Sequence, residues 1–176
     1  MTDCYLRQLR VEDAGDVLAA FWSNDDMLRQ GSVTSLADAE RYVKNLLQPS
    51  QRPVVIAKKD RLVGLVCVSI DQDNQSGWFW YWMNESARGQ GAMSRAAATV
   101  ANAALTDWGL ERLELGHRAN NPTSGAVARA AGFIKEGTER AKFLIDGERI
   151  DVYTYGRLIT DPIPNTPHLS WRSGRL

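Results

Sequence analysis

Arg88-Gly89-Gln90-Gly91-Ala92-Met93-Ser94 is the stretch of this sequence whose residue types and spacing can do chemistry. Two glycines one residue apart permit a tightly folded main chain whose successive N–H groups converge on one point. Residues 96–105, which follow, are almost all small and apolar, as in a helix packed closely on a sheet. Converging amides at the positive end of a helix dipole attract phosphate. Arg88 adds a permanent positive charge with a planar donor fork. The chemistry implied is the binding of a pyrophosphate. A lone Gly-x-Gly serves a tight turn or close helix packing equally well, so the rest of the chain has to decide.

The elements that must position this turn can be read from hydrophobic periodicity. The aromatic run that starts at Trp78, after the turn residues Asp73, Asn74 and Gly77, predicts a buried strand, because rings fit a covered, pleated surface. Trp78, Trp80 and Trp82 share one face by alternation, and a core role is expected for them. Upstream, residues 4–9 predict a short strand and 12–23 an amphipathic helix carrying Val17, Leu18, Phe21 and Trp22. A polar loop over 24–34 follows, then a helix with Ser35 as its N-cap, ending near Pro49. Residues 53–58 and 62–70 predict strands joined by a Lys-Lys-Asp-Arg turn, making a meander with the aromatic strand.

Downstream, a helix over 90–108 closes near Gly109, and 111–116 alternates as a strand. Asn121-Pro122 starts a helix through Ala131, ended by Gly132. Phe133-Ile134, residues 142–145 and residues 150–155 predict a final hairpin turning at Asp146-Gly147. After Leu158 come Pro162, Pro164, Pro167, Arg172 and Arg175, which predict an extended or disordered tail that does not continue a sheet. The expected architecture is therefore α/β (α+β): a domain over 1–158 with a mixed central sheet and helices on both faces, and a tail over 159–176. The strand–turn–helix–strand unit across 78–118 requires two parallel strands, which can separate beside the phosphate turn and open a slot.

Composition narrows the class. The chain has 176 residues, enough for one domain with a substantial core, and its formal net charge of zero argues against coating nucleic acid. No apolar run approaches the roughly 20 residues of a membrane helix, and the N-terminus lacks a signal-peptide pattern, so no membrane partner is expected. Cys4 and Cys67 read as reduced core residues of a cytoplasmic protein. His117 and His168 are too few and too far apart for a metal cluster, and no metal is expected.

Three motifs in order resemble one family, the GNAT acyl-CoA N-acyltransferases. The turn from Arg88 to Met93 is similar to the family's R/Q-x-x-G-x-G/A loop, with Met93 where Gly or Ala is commoner. Asn121-x-x-Ser124-x-x-Val127 followed by Gly132-Phe133 is the second, and Asp146-Gly147 through Asp151-Val152-Tyr153 the third. Together they resemble the Rim-type branch that acetylates ribosomal-protein N-termini, over about residues 4–158. The resemblance implies a GNAT fold with a splayed parallel strand pair, and acetyl-CoA as cosubstrate for direct attack by a primary amine. It implies that Arg88, Gly89, Gln90, Gly91, Ala92, Met93 and Ser94 hold the pyrophosphate. It implies that the edge at Trp82, Met83 and Asn84 pairs with the pantetheine arm and supplies an oxyanion N–H, and that Asn121 bonds the same arm. Ser124 stands where the branch carries a hydroxyl near the departing sulfur, which implies a catalytic role in protonating the thiolate; its plainer role is to satisfy backbone in a first helical turn.

Two departures bear on mechanism. The tyrosine that many members carry in this helix is replaced by Ala128, and the glutamate base of related enzymes by Lys142. Glu139 and His117 remain as base candidates, against plainer roles as a surface carboxylate and a packed imidazole. An α-amine, with a pKa of about 7.7–8.0, is neutral to roughly a tenth at pH 7, whereas a lysine amine near 10.4 is almost wholly charged. A site without a strong base therefore suits a protein N-terminus or a small α-amine. Rival readings are a catalytically silent acyl-CoA sensor, an antibiotic-modifying acetyltransferase drawing a polycation to Asp25, Asp26 and Asp38, and a nucleotide-binding protein unrelated to coenzyme A. The last lacks the lysine it would need after the turn. A free edge strand and the arginine-bearing tail permit a homodimer without demanding one.

Overall fold

The computed structural model describes residues 4–172. Strand β1 (Cys4–Gln8) leads into helix α1 (Ala14–Trp22), a 3-10 turn over Asp25–Gln30, and helix α2 (Leu36–Leu46). Strands β2 (Gln51–Lys58), β3 (Arg61–Asp71) and β4 (Ser76–Met83) form an antiparallel meander. Helix α3 (Ala92–Thr106), strand β5 (Arg112–Arg118), helix α4 (Pro122–Ala130) and strands β6 (Ile134–Ile145) and β7 (Glu148–Leu158) complete the chain. One seven-stranded sheet runs in the order β1-β2-β3-β4-β5-β7-β6. Ile134 and residues 142–145, which periodicity separates, belong to the single strand β6 with register shifts near Gly137 and before Phe143, and Phe133 lies just before it. The hairpin turns at Asp146-Gly147 as expected, both with positive φ.

Each face of the sheet has its own core. On one face α1 and α2 cover β1 to β3, burying Val17, Phe21, Ala39, Val43, Val55 and Leu65. The Ser35 hydroxyl caps α2 through the Asp38 amide at 3.2 Å, and bonds from Ser35 and Thr34 hold the Asp38 carboxyl down to about 2. On the other face α3 presents Ala96, Ala97, Val100, Ala101 and Ala104, small enough to let the helix lie close against Val66, Phe79 and Leu113. Cys4 and Cys67 are both buried thiols, and burial pushes Cys67 up to about 12. Among the described residues no helix is long and apolar enough to cross a membrane.

The tail has no strand or helix of its own, as expected, but it is docked. Residues 159–172 strap the outer surface of α3 and α4 and reach β1, where Ser170 O accepts from Leu6 N and Arg172 N donates to Leu6 O, both at 2.8 Å. Prolines cannot donate, but the pairing uses residues beyond the last of them. Leu169 inserts into the core, its amide held by Thr99 Oγ1 at 3.0 Å. Thr166 Oγ1 donates to Ala130 O, and Arg95 to His168 O. Arg172 lies over the Tyr5 ring; Arg175 falls outside the described residues.

Candidate active site

The site opens where β4 and β5 part. Their parallel ladder covers Ser76↔Arg112, Gly77↔Leu113 and Trp78↔Glu114 and then stops, although both strands continue. At Gly77 side chains of β3 and β5 close over the backbone: a Cβ there would lie 2.4 Å from Val68 Cγ1 and 3.3 Å from Leu113 Cδ2. Past Trp78 the main chain of β4 alternates. Asn84 N donates to Val63 O at 2.9 Å, so even-numbered residues bond β3 and odd-numbered ones face the gap. The amides of Tyr81 and Met83 therefore point into the slot. Of Trp82, Met83 and Asn84, where the resemblance puts the oxyanion N–H, Met83 alone presents its amide to the gap.

Side chains of β4 alternate the other way. Trp82 is buried under α1 and α2, stacked edge-on to Phe21 at 5.9 Å, with Nε1 donating to the Tyr42 hydroxyl at 3.0 Å. Trp80 is half-buried and donates to Ser69, whereas Trp78 is 47% exposed with its ring beside Gly116. Only one of the three tryptophans is fully core. Trp78 belongs to neither buried core cluster.

The glycine turn lies at the end of the gap. Gly89 and Gly91 have φ of 76° and 73°, and a Cβ on either would meet nothing within 4 Å. Their requirement is conformational, which removes close helix packing as their explanation. Gly91 is the N-cap of α3 with no side-chain cap, and the first turn of the helix holds no acidic residue. The leading amides of α3 are thus open to an anion. Met93 is buried and anchors the turn in the core, while Gln90 is exposed and Ser94 half-buried. Arg88 folds back across the rim: Nε donates to Met83 O at 3.1 Å and Nη1 lies 3.7 Å from Asp26 Oδ2. The α1–α2 connector is tied to the same rim by Asn24 to Glu85 at 3.0 Å and by Glu85 N to Ser23 Oγ at 3.2 Å.

Helix α4 supplies the far wall. The Asn121 side-chain oxygen Oδ1 caps it by accepting from Ser124 N at 3.1 Å. Ser124 meets Tyr81, whose hydroxyl lies 2.9 Å from Ser124 O and 3.0 Å from Ser124 Oγ. Tyr81 was not foreseen, though parity places it on the α3–α4 face opposite the tryptophans.

Both base candidates are engaged by neighbouring groups. His117 is buried; Nδ1 lies 2.9 Å from Arg118 O, and Nε2 lies 3.2 Å from the Tyr155 hydroxyl. A carbonyl only accepts, so Nδ1 carries the proton and Nε2 accepts from Tyr155. Burial, then Arg129 and Lys135, push the imidazole below its ordinary value, so it stays neutral and packed. Glu139 sits on the edge strand β6, in the row Glu139–Val152–Arg118, with Lys142 Nζ bonded to both oxygens at 2.6 and 2.7 Å. Two strand spacings, roughly 10 Å, separate it from β5. Of the three acids expected to draw a polycation, two are engaged: Asp38 with Thr34, Ser35 and Arg41, and Asp26 with Arg29 and Arg88.

Comparison with known proteins agrees with this geometry. Residues 4–134 match the family model described as an acetyltransferase (GNAT) domain. The chain is 36% identical over 133 residues to a ribosomal-protein-serine acetyltransferase of Escherichia coli (strain K12), covering 72% of this chain and 74% of the relative. A structure of RimL, a ribosomal L7/L12 alpha-N-protein acetyltransferase in complex with coenzyme A, superposes with a TM-score of 0.80 at 23% identity, covering 90% of this chain and 95% of that one. A spermidine N-acetyltransferase chimera involving Vibrio cholerae superposes with a TM-score of 0.79 at 21% identity, covering 90% and 96%. At such identities the superpositions speak for the fold, and the two differ in acceptor.

Proposed function

The chain belongs to the GNAT acetyltransferases, and from that premise we propose that it transfers an acetyl group from acetyl-CoA to the α-amino group of a protein N-terminus. One observation carries the reading: the β4–β5 ladder ends after three residue pairs beside an uncapped, acid-free helix start. The amides at 88–94 would hold the pyrophosphate, with Arg88 leaving Asp26 to join them. The Tyr81 and Met83 amides face the gap, and with the Asn121 side chain at the start of α4 they would make a donor set suited to the amide groups of a pantetheine arm. One of those amides would face the thioester oxygen and stabilise the negative charge that builds there as the amine attacks. Ser124, at the mouth of α4, would offer its hydroxyl to the departing sulfur.

The acceptor follows from proton chemistry together with kinship. His117 and Glu139 are both engaged by neighbouring groups, and on this reading the amine arrives neutral or loses its proton to water. An α-amine meets that requirement and a lysine does not. The relative that acetylates a ribosomal-protein serine supports the same choice. The test compares an N-terminal peptide with an Nα-blocked lysine peptide under acetyl-CoA. Thiol release with the first at least tenfold faster than with the second is expected. Preference for the blocked lysine defeats the assignment.

A further inference from the structure

We propose that Tyr81 is a positioning residue of the transfer step, fixing the Ser124 hydroxyl at the mouth of the β4–β5 gap and so governing the hydrogen bond that the serine offers to the departing sulfur. The inference rests on the role given to Ser124 under Proposed function. Tyr81 is the residue whose main chain faces the gap while its side chain bridges from β4 to the first turn of α4. Its hydroxyl has one proton and two partners. Ser124 O can only accept, so Tyr81 donates to it at 2.9 Å, and the 3.0 Å contact runs from Ser124 Oγ–H to Tyr81 Oη. With negative charge on a sulfur in the gap, a better arrangement exists. Ser124 Oγ–H turns to the sulfur, and Tyr81 Oη–H turns from the carbonyl to Ser124 Oγ. The carbonyl lies within α4 and keeps its helical partner. Ser124 thus remains hydrogen-bonded in both states and is not left to rotate freely.

The pair donates hydrogen bonds and keeps its protons. Burial pushes the Tyr81 phenol up to about 12, well above the roughly 8.5 of an ordinary thiol. In the balanced step the amine nitrogen forms the C–N bond, the C–S bond breaks, and sulfur leaves with the electron pair as thiolate. The proton lost by nitrogen passes to water and ends on the thiolate or in solvent. No proton is consumed from Tyr81 or Ser124.

The test is steady-state kinetics of Tyr81→Phe, Ser124→Ala and the double variant, with acetyl-CoA and an N-terminal peptide. Phenylalanine keeps the edge-on ring contact with Phe79 at 6.1 Å. Loss of the hydrogen bond that holds Ser124 Oγ toward the leaving group predicts a kcat about tenfold lower for Tyr81→Phe, with KM for acetyl-CoA within twofold. The double variant should be no slower than Ser124→Ala, and wild type should show no falling limb up to pH 10. Unchanged kcat in Tyr81→Phe overturns the proposal. So does a loss that multiplies in the double variant, because a merely structural tyrosine acts independently of Ser124. A falling limb between pH 8 and 10 that Tyr81→Phe abolishes also overturns it, since it would mean that the phenol gives up its proton. Should Tyr81→Phe fail to fold, Ser124→Ala decides: wild-type kcat there removes the serine's role and the tyrosine's with it. A wild type that binds no coenzyme A and acetylates no amine defeats the underlying reading; a competent wild type with an equally fast Tyr81→Phe defeats this inference alone.

Discussion

Replacing Gly91 with alanine separates a phosphate-binding turn from a turn that only reverses the chain. Gly91 and Gly109 form a matched pair at opposite ends of α3, with φ of 73° and 74°, and a Cβ at either meets nothing within 4 Å. Gly91→Ala and Gly109→Ala therefore carry the same penalty: about 1–2 kcal/mol for placing an L side chain in the left-handed region, with no clash added. For a chain of this size that corresponds to a drop in Tm of roughly 2–8 °C, similar in both variants. Coenzyme A affinity should divide them. A main chain that relaxes away from positive φ at Gly91 turns an amide from the anion site, and one charge-assisted bond is worth roughly 1.5–3 kcal/mol, or about 10- to 100-fold in Kd. Gly109→Ala should bind as wild type does. Differential scanning calorimetry and isothermal titration with coenzyme A measure both quantities. Equal Tm losses with equal, undiminished affinities would refute the assignment of the turn to pyrophosphate.

Two further outcomes follow from the described contacts. Leu169→Ala removes a 3%-exposed side chain from the core cluster under the tail and should cost about 2–4 kcal/mol, seen as a clear fall in Tm; an unchanged Tm would mean that the tail is not docked. His117, held below 6.5 by burial, contributes stability that is complete above pH 6.5, where folded and unfolded forms are both neutral, and is lost as pH falls through the folded value. His117→Gln should therefore lose less stability than wild type between pH 7 and pH 5 in thermal melts, and parallel curves would contradict the neutral, packed imidazole.

Much of this architecture is legible in local pattern. Alternation marks β4, small residues mark α3, and Asp146-Gly147 marks the last hairpin, because each depends on a few neighbouring residues. The glycine turn and the Asn121 cap are legible for the same reason. What local pattern does not carry is register. Whether Trp82 or Met83 offers its amide to the gap depends on the pairing of Asn84 with Val63, twenty-one positions away along the chain. Tyr81 meets Ser124 across 43 residues, so parity shows its face and nothing in the sequence shows its partner. His117 and Glu139 look alike as bases in sequence, and only Arg118 O, Tyr155 and Lys142 reveal that both are occupied. The tail misleads because prolines argue against a strand, whereas its docking rests on Leu169 and on one bridge at Leu6.

Amide hydrogen exchange along β4, with and without acetyl-CoA, tests the central claim most directly. An arm lying in the gap should protect the Tyr81 and Met83 amides while leaving Trp80 and Trp82, already bonded to β3, unchanged. Protection absent from both odd-numbered positions at saturating acetyl-CoA would contradict the account.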